Sequence, residues 1–163
     1  MKIKLEKIFE LQRELDESLN DKVKSIGDEN IDVKRIIALL VELGEFANEV
    51  KLFKYWKKQK ALSYDKVYEE CADVLHFISS IATKNNVKNE IEILIFNNDF
   101  SLQLAEVYKL FVQLLDNKNE DSILKAFGAF LGLTKIVNLD LKKIEDAYIR
   151  KNKINHDRIK NNY

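Results

Sequence analysis

Residues 42–49 read ELGEFANE. Glu42, Glu45 and Glu49 are three and four residues apart, so on a helix all three carboxylates share one stripe. The chain around them is apolar. At about 100° per residue, Ile36, Leu40, Leu43, Ala47 and Val50 make a seam roughly opposite the stripe. Leu39, Phe46 and Phe53 border the acids on one side, Val41 and Leu52 on the other. A helix that is apolar nearly all round is expected to be buried nearly all round, and carboxylates buried there without partners are costly. The stretch therefore predicts a helix packed among other helices, with something positive facing its acids.

The same periodicity extends outward. Helices are expected over 3–20, with Ile8, Leu15, Leu19 and Gln12 on one side, and over 31–53, 64–83, 101–116, 120–135 and from 139 onward. Ser63 is placed to cap the third helix, and Asp99 or Ser101 the fourth. DKVKSIGDENIDVK is a polar break, KKQKALS a basic connector, and IEILIF reads equally as a short strand or a piece of helix. With no proline and four glycines, the composition suits helices better than a sheet with many tight turns. The expected fold is an all-α bundle of about six helices in one domain, 1–163.

Composition narrows the setting. The 46% hydrophobic and 33% charged content describes a globular chain, and the formal net charge of zero supplies no global field for nucleic acid or a membrane surface. The single cysteine, Cys71, excludes an intrachain disulfide and suits a reducing compartment. The amphipathic N-terminus has no signal-peptide core, and no stretch is long enough to span a bilayer. A cytoplasmic location is the expectation.

A second acidic pair lies in YEECADVLHF, where Glu70 and Asp73 are three apart at the edge of an apolar arc of Val67, Val74, Ile78 and Ile81. If the two helices pack together, four carboxylates converge, raising one another's pKa values unless a cation intervenes. Such hard oxygen donors favour Mg²⁺, or Mn²⁺, over zinc. Spacing alone leaves a second reading open: a solvated acidic face paired with lysines.

Other residues carry similar alternatives. In AYIRKNKINHDRIKNNY, Lys151, Asn155 and Arg158 recur at four and three, with Tyr148 and Asn152 beside them. That stripe suits phosphate oxygens and sugar hydroxyls, and equally an ordinary basic helix C-terminus. Trp56, in FKYWKK, stacks a base or tucks into the core. Gln12 reads a base edge or is a satisfied core amide. His76, one turn beyond Asp73, is a ligand, a substrate contact or a boundary residue, and His156 is expected in solvent.

Taken in order, LQRELD, ELGEFANEVKLFKYW, EECADVLHF and AYIRKNKINHDR resemble the all-α, dimeric dUTPase family of bacteria and phages, within the wider all-α NTP pyrophosphatase group. The resemblance covers nearly the whole chain. It implies cleavage of dUTP, and of dUDP, between the α and β phosphates to give dUMP. It implies Glu42, Glu45, Glu70 and Asp73 as Mg²⁺ ligands, with Glu49 assisting. It places Gln12 and Trp56 near the uracil and His76 and Phe77 along the nucleoside. Lys151, Asn155 and Arg158 match phosphate and sugar contacts, as do Tyr148 and Asn152. A homodimer is implied as well. The tail departs from the family pattern: Ile159 and Asn162 stand where Gln and Gly are expected, while Arg158 and Tyr163 match.

Chemistry agrees with the implied activity. A triphosphate brings roughly four negative charges, so metal ions would offset phosphates and carboxylates together. Glu45 is suited to orient the attacking water or take its proton. Neither GxxxxGK nor GxGxxG occurs. Two other readings stand beside this one: a related MazG-type or dCTP pyrophosphatase with another base preference, and a non-catalytic helical interaction module.

Overall fold

The computed structural model describes residues 1–162. The expected contact of Tyr163 lies outside them. The order of elements is β1 (Lys2–Lys4), α1 (Glu6–Ile26), α2 (Ile31–Val50), α3 (Tyr64–Lys84), β2 (Glu90–Glu92), α4 (Phe100–Gln113), α5 (Glu120–Ile136) and α6 (Leu141–Lys160). The six expected helices are present. No single helix among the described residues is long and apolar enough to cross a membrane.

Helix α3 is the central element. It packs on α1, α2, α5 and α6, and it buries Val67, Cys71, Val74, Leu75, Ile78 and Ile81. Helix α2 also lies against α4, which pairs with α5. Aromatic rings fill the space between these layers. Phe9 stacks on Phe127 at 6.0 Å, and Phe46 meets the edge of Phe130 at 5.5 Å. Each buried ring removes enough apolar surface from water to contribute on the order of 2 kcal/mol.

The ends of the elements follow local chemistry. Asp99, Asn119 and Asp140 cap α4, α5 and α6, each side chain accepting a backbone N–H of the first turn. Ser63 stands at the start of α3, but its side chain makes no capping bond. Helix α1 runs past the expected end into the polar break and closes at Gly27, whose φ of 63° is the left-handed conformation that glycine adopts without strain. Helix α2 stops at Val50, three residues short of the expected end, because Lys51 turns left-handed and Phe53 enters a turn.

The ambiguous IEILIF segment resolves by tertiary pairing. Its start joins β2, which pairs antiparallel with β1 in the register Lys2↔Glu92, Ile3↔Ile91 and Lys4↔Glu90. The extended chain then crosses α5 at two glycines. The amide of Leu94 donates to the Gly128 carbonyl at 3.0 Å. Buried Gln103 holds the crossing in place. Its Nε2 donates to the carbonyls of Leu94 and Ala129, and its Oε1 accepts from the amides of Phe96 and Asn97. A Cβ at Gly128 or Gly132 would overlap the carbonyl oxygen of Glu92 or Leu94, respectively.

Replacing Gly132 with alanine should therefore lower stability by about 1–3 kcal/mol. A fall in the urea midpoint with an unchanged slope is the expected result. An unchanged midpoint would mean that the crossing chain yields freely.

Candidate functional site

The acids of α2 and α3 converge where the two helices pack. Ligand oxygens of Glu42, Glu45 and Glu70 lie within 4.8 Å of one another. Leu43, Phe46 and Val50 anchor α2 in the core, so the glutamates project from its opposite side. The flank is less covered than the sequence implies: Val41 is 54% exposed, and Glu45 is itself exposed. Glu42 and Glu70 are half-buried.

Asp73 sits one turn from Glu70 with its carboxylate engaged. Lys151 of α6 places its Nζ 2.7 Å from Asp73 Oδ2 and 3.4 Å from Glu69 Oε1. A lysine thus supplies part of the positive charge that the acids demand. Both partners of the shorter pair are largely covered, with 14% and 17% of their side chains exposed, so this ion pair is screened less than a surface one.

Crowding shows in the protonation of the group. Burial, then the charges of Asp73 and Glu45, push the Glu42 carboxyl from its ordinary 4.5 up to about 7. Glu70 is raised by burial and by Asp73. Asp73 is raised by burial, against the pull of Lys151. Three clustered carboxylates with no cysteine or histidine among them are a donor set for a hard divalent cation.

The other candidate residues divide into two sets. On α6, Lys151 faces the acids, and Asn155 and Arg158 follow it along the helix, half-buried and exposed respectively. Tyr148 and Asn152 turn instead into the interface with α1, where both are buried. The Tyr148 hydroxyl donates to Gln12 Oε1 at 2.7 Å, and Asn152 donates to the Leu11 carbonyl at 3.3 Å. Gln12 Nε2 donates to Asp16 Oδ1 at 3.1 Å, and Gln12 Oε1 lies 3.0 Å from Nδ1 of His76. The His76 ring stacks on Tyr148 at 4.2 Å. Burial, with the nearby positive charges of Lys151 and His156, lowers its pKa to about 3. His156 is half-buried, where solvent exposure was expected.

Phe77 is half-buried against the core. Trp56 is 58% exposed in the turn after α2, and its ring meets those of Phe53 and Tyr55. Glu49 lies one turn past Glu45, outside the group of three. Beside the acids, a groove of about 620 Å³ opens between α3 and α6, lined by Tyr64, Tyr68, Glu69, Arg150 and Lys151 among others. Sequence reasoning passed over Glu69, Asp16 and Ser80. The adjacent acids of YEEC and the aspartate closing LQRELD were the available signals.

The bundle is all-α, and it brings acids from two helices together beside a lysine from a third. The chain belongs to the dUTPase family: the family's model, described as dUTPase, matches residues 4–163. Its activity is that of a dUTP diphosphatase. No curated protein matches the chain.

The raised carboxyls generate a pH prediction. Glu42 titrates near 4.5 when unfolded and about 7 when folded, so the folded state binds its proton more tightly. This contribution to stability is fully present below 4.5 and is lost as pH rises through about 7. Urea melts in EDTA should show Glu42→Gln losing less stability than the unsubstituted chain between pH 5 and pH 8. A pH dependence identical in the two proteins would contradict the crowded site.

Proposed function

We propose that this dUTPase is Mg²⁺-dependent, with Mn²⁺ as a substitute, and that it acts on dUDP as well as dUTP. Water adds to the α-phosphorus and the bond to the bridging oxygen breaks. The products are dUMP and pyrophosphate from dUTP, or dUMP and phosphate from dUDP. The observation that carries this reading is the meeting of Glu42, Glu45 and Glu70 within 4.8 Å, with Asp73 beside them. These four acids would hold the cation. When bound, a divalent ion offsets phosphate charge and polarises the α-phosphoryl group.

The chain's own groups account for the rest. Glu45 is the exposed member of the cluster and is suited to orient the attacking water and accept its proton, with Glu49 supporting it from the next turn. Lys151 already lies among the acids and meets phosphate charge there, with Asn155 and Arg158 further along α6. We assign Gln12, His76, Phe77 and Trp56 to the nucleoside, and Tyr148 and Asn152 hold α6 against α1 beside Gln12.

We further propose a homodimer. Val33, Ile37 and Val41 recur every fourth residue on α2 and leave a row of apolar side chains about half exposed. A second copy of the chain is the proposed cover. The reducing-compartment composition agrees with action on the cytoplasmic nucleotide pool.

Replacing Glu45 or Asp73 with alanine should reduce dUTP turnover about a hundredfold or more, with the far-ultraviolet circular dichroism unchanged. Full activity in either variant would remove the metal and base assignments. The wild type should release pyrophosphate from dUTP only when Mg²⁺ is supplied, and far more slowly from dCTP, dTTP and dATP. Comparable rates on purine nucleotides would point instead to a broad pyrophosphatase.

Light scattering after gel filtration should give twice the chain mass for the wild type and the single mass for Ile37→Asp. A monomeric wild type would end the dimer proposal. A dimeric Ile37→Asp would move the interface elsewhere.

A further inference from the structure

Between α1, α3 and α6 lies a run of covered polar groups whose direction of donation is decided at one end. Asp16 lies 3.1 Å from Gln12 Nε2, 3.0 Å from Ser80 Oγ and 3.5 Å from Thr83 Oγ1. A carboxylate accepts hydrogen bonds and donates none, so the amide nitrogen of Gln12 is the end that faces it. The amide oxygen must then face the other way. There it accepts from the Tyr148 hydroxyl at 2.7 Å and lies 3.0 Å from Nδ1 of His76.

A carbonyl oxygen offers no proton, so Nδ1 must carry one. The neutral imidazole is left with its lone pair on Nε2. The stack on Tyr148, 4.2 Å between centroids and tilted by 22°, holds the ring plane. Among the described residues, Nε2 has no hydrogen-bond partner, although it is fully covered. Covered acceptors are nearly always paired.

We propose that Asp16 is a positioning residue that fixes His76, through Gln12, in its Nδ1–H tautomer, leaving Nε2 as an acceptor for a hydrogen-bond donor of the bound nucleoside. The donor is the imide N–H of uracil or the 3′-hydroxyl of the sugar. The inference rests on the dUTPase reading above. If the imide is the source, the same atom selects the base, because N3 of uracil carries a proton and N3 of cytosine is an acceptor. Nucleoside entry has to uncover Nε2, which ties binding to a small movement of the α3–α6 contact.

The test uses the full-length chain with ¹⁵N-labelled histidine. Long-range ¹H–¹⁵N spectra of the wild type should show His76 Nδ1 protonated and Nε2 as the bare, pyridine-type nitrogen. An Nε2–H tautomer in the wild type would overturn the proposal without any variant. An asparagine amide presents either end to Gln12, so Asp16→Asn should give mixed tautomers. It should also raise KM for dUTP in inverse proportion to the Nδ1–H fraction that remains, about tenfold when a tenth is left, with kcat within about twofold. An unchanged tautomer and KM would remove Asp16 from the role, and a fall in kcat alone would do the same.

Adding Mg²⁺ and α,β-imido-dUTP should shift the Nε2 resonance. Loss of that shift with the N3-methyl analogue identifies the imide, and loss with the 3′-deoxy analogue identifies the hydroxyl. A shift that survives both changes, or none with the unmodified analogue, would overturn the acceptor role. Failure of the dUTPase reading would look different: wild-type protein would leave dUTP intact while the His76 tautomer stayed as described.

Discussion

Like-charge repulsion held in check by apolar packing is the constraint on which this structure depends. Leu39, Leu43, Phe46 and Val50 of α2 are wholly covered, as are Val67, Cys71, Val74 and Ile78 of α3. Their burial holds the two helices together, and that contact forces Glu42, Glu45, Glu70 and Asp73 into one region. Left to themselves the carboxylates would separate into solvent. The core does not permit it, so the repulsion appears as raised proton affinity instead. Part of that repulsion is offset by Lys151, which pairs with Asp73.

Helix α6 serves both sides of the site. Its Lys151 enters the acidic region and pairs with Asp73. Less than a turn on either side, Tyr148 and Asn152 bury themselves against α1 and engage Gln12 and the Leu11 carbonyl. One helix therefore links the charged half of the site to the neutral, hydrogen-bonded half around His76. The start of α6 is tied to α3 as well, because the Asp140 amide donates to the Tyr68 hydroxyl at 2.8 Å.

Much of this was readable in the linear chain. The helical period, the caps at Asp99 and the polar breaks located all six helices, because these are properties of residues close in sequence. The acidic pairs were legible too, since spacings of three and four decide what shares a helix face. The strand pairing of 2–4 with 90–92 was not, because such short segments show no period of their own and gain strand character only from each other. Gln103 gave no sign of clamping the chain that crosses α5. The small residues at Gly128 and Gly132 were the one trace of a close approach there.

The sequence by itself determined that this chain is helical, that its acids lie in pairs on two apolar helices, and that its last helix carries cations and amides. Its motif order pointed to the family as well. Only the tertiary structure decided that Lys151 reaches Asp73, that Glu42, Glu45 and Glu70 share one small volume, and that Gln12, His76 and Tyr148 satisfy one another. The physical reason is distance along the chain. Helical period and capping act over a few residues, whereas the partners of Gln12 lie 64 and 136 positions away, and packing alone selects them.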